Sequence, residues 1–239
     1  TQAGIIHILA ISGLHIALIY GIVLWLTKPL LRFKKGKLYI FLLSLCILWF
    51  YAILAGFSAS IVRAAVMFSV VALAKIVNRQ SNIYNSLALS AMILLLYNPN
   101  YLFDVGFQLS FAAVLSIVIF QPLVRKYSYS KHYIILKIKE LLLISLVAQV
   151  GVLPLILYYF GQFPLLFLLA NLIAIPPSSL ILILGLALIP FNILLPKVAV
   201  YLSVLVNFLI DIMNNFTAWI VKFDVFIIKN IAFHEVLVL

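Results

Sequence analysis

Few residues in this chain could do chemistry, and most of them lie inside apolar runs. His7, Ser12 and His15 stand in HILAISGLHIALI, Arg63 in GFSASIVRAAVMF, and Asp104 and Gln108 in LFDVGFQLSF. Gln149 lies in a later apolar stretch, and Asn171 and Ser178 flank the prolines of ANLIAIPPSSL. Ser12 and His15 are three apart, so on one helix they point in neighbouring directions. No G-x-S-x-G turn and no third group orients them, which leaves a serine hydrolase without its machinery. His7 and His15 are eight apart, about 80° around a helix, and no carboxylate accompanies them to complete a metal site. There is no phosphate-binding Gly-Lys loop, so the chain carries no nucleotide motor. The expectation is a protein that is not an enzyme and that needs no cofactor or metal.

What these side chains can do is donate and accept hydrogen bonds within a membrane. Each also has a plain structural reading. Ser12 and Ser110 can bond their own helix, His7 can snorkel to the outer interface, and Gln149 and Asn171 can join helices. Arg63 is hardest to set aside. Left in lipid it costs at least ~2.5–3.5 kcal/mol, so a cavity or a partner is expected. Asp104 falls at similar depth and is read as the only acid in the outer half of the bundle, which makes a structural ion pair one reading and an anion-attracting mouth the other. The residues alone support a pore or transporter with a polar interior.

The elements that must position these residues follow from composition. Hydrophobic residues make up 67% of the 239, charged residues 9%, and the mean hydropathy is +1.30. A soluble domain has about half its residues apolar and roughly a quarter charged, so this is an all-α polytopic membrane protein. Apolar length and loop punctuation place eight spans at 4–27, 38–55, 60–77, 83–98, 105–121, 141–160, 165–190 and 197–214. The single cysteine, Cys46, lies in an apolar run and excludes an internal disulfide framework. Thr1 in place of Met, and an end inside the apolar EVLVL, read as a segment of a longer protein.

The net charge of +11 invites a nucleic-acid reading, but the positions of the cations give another. Lys28, Arg32, Lys34, Lys35 and Lys37 follow the first span, and Lys75 and Arg79 the third. Arg125, Lys126, Lys131, Lys137 and Lys139 follow the fifth, and Lys197 precedes the eighth. Every second connection is basic, which is the positive-inside pattern, with the start of the chain outside the cytoplasm. The loop 122–140 interleaves Tyr127, Tyr129 and Tyr133 with its cations, as suits an anionic-lipid surface, a partner's dock or a nucleic-acid exit. At the far end, Phe216, Trp219, Phe223 and Phe226 recur at helical spacing. They predict an interfacial helix over 216–239, separate from the membrane domain 1–215, with a further span starting near Val236. In the seventh span Pro176-Pro177 predict a break near the midplane, with Ser178 and Ser179 opening a new half-helix that aims N–H groups at a passing anion. A re-entrant hairpin there is the alternative.

Four stretches taken in order, HILAISGLHIALI, GFSASIVRAAVMF, NPNYLFDVGFQLSF and QVGVLPLILYYFGQFPLLFLLANLIAIP, resemble the membrane domain of the ComEC competence family over residues 4–215. The resemblance implies an inner-membrane channel for single-stranded DNA in natural transformation. It implies membrane lipids as surroundings, a cytoplasmic helicase or ATPase and an external DNA receptor as partners, and it admits a homo-oligomer. His7, Ser12, His15, Arg63, Asp104, Gln108, Gln149, Asn171 and Ser178 are then the candidates for the DNA path. Asn98 and Ser81-Asn82 stand where many relatives carry acids, so no role of those acids applies here. A small-solute or lipid transporter built on the same polar bundle is the competing class.

Overall fold

A computed structural model of the chain describes residues 13–77, 82–129, 131–164, 167–221 and 227–228. Among them are eight α-helices: α1 (Gly13–Leu26), α2 (Gly36–Leu54), α3 (Ala59–Ile76), α4 (Ile83–Tyr97), α5 (Val105–Ser128), α6 (Tyr133–Phe160), α7 (Phe167–Leu194) and α8 (Pro196–Val221). Short 3-10 turns at Lys28–Arg32 and Pro99–Phe103 join α1 to α2 and α4 to α5. Six of the helices are long and apolar enough to cross a membrane; α1 and α4, at 14 and 15 residues, are shorter. The architecture is an all-α membrane bundle.

The ends of the helices are written in the polar residues between them. The side chains of Asn82 and Asp104 accept from Tyr84 N–H and Phe107 N–H and cap α4 and α5. Asn98 caps the intervening 3-10 turn through Asn100 N–H. Such short acceptors satisfy helix N–H groups that have no partner within the helix. α2 closes on Gly56 at φ 69°, with Phe57 N–H bonded to Ala52 O and Gly56 N–H to Ile53 O. This is the six-to-one and five-to-two pattern of a Schellman cap, which favours glycine at its left-handed position. Gly161, at φ 59°, ends α6 in the same region.

α3 is the hub of the bundle, packed against α1, α2, α4 and α5. Its inward residues are small or branched: Ile61, Ala64, Ala65, Val66, Val70 and Ala72. One core cluster joins Ile16, Ile19, Tyr20 and Val23 of α1 to Leu48, Ala52, Ile61 and Ala64, with Leu182 and Leu186 of α7 against it. A second joins Val66, Leu94 and Phe107 to Trp49, Tyr101 and Phe111. α5 lies along α6, where Ser116 donates across to Val147 O at 2.7 Å. A Cβ at Gly151 would run into Ser116 and stand 3.0 Å from Ala112 O, so the two backbones approach as closely as glycine permits.

Four expectations are corrected. The seventh span is not broken: α7 continues through Pro176, Pro177 and Pro190. Ser178 and Ser179 do not open a half-helix, because their hydroxyls both bond back to Ile175 O, at 2.9 and 2.8 Å. The prolines deny N–H donors to the carbonyls four residues earlier. In a membrane, serine hydroxyls and packed neighbours compensate for such losses, and the helix persists. Nor is the span re-entrant. Phe163–Pro164 pair antiparallel with Ile227–Ile228, which puts the chain entering α7 and the chain leaving α8 on one side.

The long loop 122–140 is short instead. α5 runs to Ser128 and α6 starts at Tyr133, so Arg125, Lys126, Lys137 and Lys139 ride on helix, for which Lys and Arg have good propensity. Finally, Phe216 and Trp219 do not begin a separate helix. They continue α8, which has no breaker before Val221. The rest of that stretch, apart from Ile227–Ile228, lies outside the described residues, as do His7, Ser12, Arg79 and Ser81.

Candidate functional site around Arg63

The site is built where α3 passes the start of α5. Arg63 sits on the second turn of α3, and because α3 is the hub, its side chain is surrounded on most sides; 11% of it is exposed. It reaches Asp104, the residue that caps α5. Asp104 Oδ1 accepts Phe107 N–H at 2.6 Å and Arg63 Nη1 at 3.4 Å. The short bond belongs to the cap and the long one to the ion pair, so the carboxylate is committed to its helix first. Gly106 makes the meeting possible. A Cβ there would lie 3.0 Å from Arg63 Nη2 and 3.2 Å from Asp104 Oδ1, so only a glycine lets the guanidinium lie across this turn without displacement. Arg63 Nε is buried and has no hydrogen-bond partner among the described residues. A guanidinium carries five N–H donors. Asp104 engages one of them.

One turn along α5, Gln108 extends the network. Its Nε2 donates to Leu102 O at 2.8 Å, and its Oε1 accepts from Tyr159 Oη at 2.8 Å. α3, the Pro99–Phe103 turn, α5 and the end of α6 are thereby tied together at one level. Sequence reasoning missed Tyr159. The signal was available in the tyrosine pair Tyr158-Tyr159 at the close of the sixth span, where a phenol at the interface usually finds a polar partner.

Of the other sequence-predicted residues, His15 is half-buried on α1. α1 approaches α3 nearby: a Cβ on Gly13 would stand 3.6 Å from Ala64 Cβ, next in sequence to Arg63. Ser110 spends its hydroxyl on Gly106 O and Phe107 O, the structural reading. Gln149 and Asn171 are half-buried on α6 and α7, and no hydrogen bond joins them or Ser178 to the Arg63 network. The structure therefore brings together Arg63, Asp104 and Gln108, and leaves Gln149, Asn171 and Ser178 outside that cluster.

Asp104 is not the only acid in its half of the bundle. Asp211 stands on α8, exposed, fifteen residues after Pro196. Its signal lay in the four-residue spacing of Asn207, Asp211 and Asn215, which runs on past the expected end of the eighth span at 214.

The cations gather at the other end. Lys75 Nζ lies 5.0 Å from the Tyr20 ring centroid, Lys126 Nζ 5.5 Å from that of Tyr127 and Lys137 Nζ 5.9 Å from that of Tyr133, while Lys137 also pairs with Glu140 at 2.8 Å. Among the described residues, the end at Arg63 thus offers one loosely held cation with an amide and a phenol beside it, and the opposite end several exposed ones. No nucleophile is poised beside a base in the Arg63 cluster. Chemically, it can present a positive charge and hydrogen-bonding groups to an anion.

The family described as Competence protein matches the chain over residues 1–239. ComE operon protein 3 of Bacillus subtilis (strain 168) is 32% identical over 175 residues, which is 73% of this chain and 21% of that protein. The chain therefore spans a small part of the relative's length. No solved structure gives a significant match.

Proposed function

The chain belongs to the competence protein family, and from that premise we propose that its bundle is a channel conducting single-stranded DNA into the cytoplasm during natural transformation. The name of the Bacillus relative ties it to a ComE operon; DNA as the cargo is our reading for this chain. So are the cytoplasmic membrane as location, an external receptor that delivers the strand, and a cytoplasmic helicase or ATPase that draws it in. We read the bundle as doing no chemistry of its own.

The observation that carries the proposal is Arg63, a cation sunk into the end of the bundle where α3 meets the start of α5 and held, among the described residues, by one 3.4 Å ion pair. A strand bears about one negative charge per nucleotide, and conduction needs sites that attract but release. A guanidinium fits a phosphate through paired N–H donors, and among the described residues Asp104 engages one of the five here. Gln108 and Tyr159 add uncharged hydrogen-bonding groups beside it. Once inside, the strand meets the basic helix ends at Arg125, Lys126, Lys137 and Lys139.

The test is uptake of labelled DNA by cells whose full-length gene carries Arg63→Gln or Arg63→Lys. Gln should abolish most uptake at near-normal protein level, and Lys should restore part of it as a point charge without the fork. Full uptake with Gln would overturn the proposal. Uptake of a small solute or lipid that fails instead, with DNA unaffected, would favour a transporter.

A further inference from the structure

α8 carries a second polar feature, unconnected with the Arg63 cluster. It packs on α7 through the side bearing Ala199 and Val206, which are 5% and 8% exposed. Leu209 and Met213 are half-buried on that same side. At 100° per residue, Asn207, Asp211, Asn214 and Asn215 fall within an arc of about 100° turned away from it. All four are exposed, and no described residue covers them. Yet α8 is a 26-residue helix whose stretch Pro196–Trp219 is long and apolar enough to cross a membrane. With a rise of 1.5 Å per residue, Asp211 lies ~22 Å from the basic end of α8 and ~12 Å short of Trp219. That places it within ~30 Å of hydrocarbon rather than at either interface.

Three amides and a carboxylate cannot face lipid along a membrane-crossing helix without a large cost, so the stripe calls for water or a polar partner. Water-facing, it selects by chemistry. A carboxylate with amides along the same stripe repels phosphate and offers hard oxygen ligands, which suit hard cations. Above the stripe, Trp219 stands where aromatic side chains mark the membrane interface.

We propose that Asn207, Asp211, Asn214 and Asn215 form a hydrated face on α8 that admits small cations and excludes anions, with Asp211 as the principal ligand. It lies apart from any path for DNA, since a strand would be repelled there, and it does not depend on DNA being the cargo.

The experiment uses the full-length protein in proteoliposomes, with every native cysteine, Cys46 among them, replaced by Ser and single cysteines placed at Asn207, Asn214 or Leu205. The probes are two membrane-impermeant methanethiosulfonates, one bearing trimethylammonium and one bearing sulfonate. Asn207→Cys and Asn214→Cys should react with the cationic reagent about tenfold faster than with the anionic one, as a focused negative potential requires. Leu205→Cys should react with neither, and adding Asp211→Asn should bring the two rates together. A stripe covered by lipid, by a second copy or by another protein would leave all three cysteines unmodified, and that result overturns the proposal. So does a charge preference that survives Asp211→Asn. Because a cysteine variant could fold poorly, the unsubstituted protein supplies a second readout. A water-soluble carbodiimide should modify Asp211, as seen by mass spectrometry, and sodium or potassium should slow it. Modification only by a lipid-soluble carbodiimide would overturn the proposal equally.

Discussion

Asp104 performs two tasks with one oxygen, and two substitutions separate them. Oδ1 takes Phe107 N–H at 2.6 Å and Arg63 Nη1 at 3.4 Å. Asparagine keeps an acceptor in the same place and caps a helix about as well as aspartate, so Asp104→Asn removes the charge and spares the cap. The lost ion pair is long, and the Asp104 side chain is 47% exposed. Pairs of that kind contribute about 0–1 kcal/mol. Asp104→Ala loses the cap as well, typically ~1 kcal/mol more. In thermal unfolding of the purified full-length protein, Ala should therefore melt roughly 2–4 °C below Asn. Binding should move the other way. Freed from its competitor, Arg63 should hold a short single-stranded oligonucleotide up to about fivefold more tightly in the Asn variant, the equivalent of ~1 kcal/mol. Uptake should slow, because a tighter site releases later. Fluorescence anisotropy with protein in nanodiscs reads the affinity. If Asn melts as low as Ala, or binds the oligonucleotide more weakly than the parent, the carboxylate is a structural counter-charge that Arg63 requires, and the reasoning fails.

Three further outcomes follow from packing and topology. Gly151→Ala drives a methyl into Ser116 and towards Ala112 O, so it should cost about 1–3 kcal/mol and cut the folded yield. Gly21→Ala, where a Cβ meets nothing within 4 Å, should be neutral or stabilising; equal yields for the two would refute the close α5–α6 approach. Replacing Pro176-Pro177 with Ala-Ala should return N–H donors to Leu172 O and Ile173 O while leaving α7 as it is, so DNA uptake should persist; its loss would show that the prolines act in transport. A cysteine at Lys131 should react with an impermeant reagent only after the cytoplasmic side is opened, and labelling in intact cells would invert the orientation.

Hydropathy made the bundle legible in the sequence because the signal is long and summed over each span. Each of the eight described helices overlaps one expected span, closely for α2 (Gly36–Leu54, against 38–55) and α4 (Ile83–Tyr97, against 83–98), while α5, α6 and α8 run well past theirs. The errors are at places where a local rule met a membrane. Proline normally breaks a helix, but in α7 the serines that follow bond back into it and no water competes for the freed carbonyls. Lysine and arginine mark loops in a hydropathy plot, yet they are good helix formers, so α5 and α6 extend through them. The Arg63–Asp104 pairing was legible from charge and depth. Its weakness was not, because the 2.6 Å cap that claims the same oxygen depends on where α5 starts to within one residue. Tyr159 was out of reach for a similar reason: it meets Gln108 across 51 positions of sequence. Asp211 could have been found, since its spacing with two asparagines is plain once α8 is drawn as one helix.

The most direct test of the central claim, that DNA passes Arg63 on its way through the bundle, is crosslinking in transit. A photo-reactive amino acid at Ala59, one turn outward of Arg63 on α3, would be compared with one at Phe50, 61% exposed on α2. The account predicts that radiolabelled single strand, stalled during uptake, crosslinks at position 59 and not at 50. No crosslink at 59, or equal yield at both positions, would contradict it.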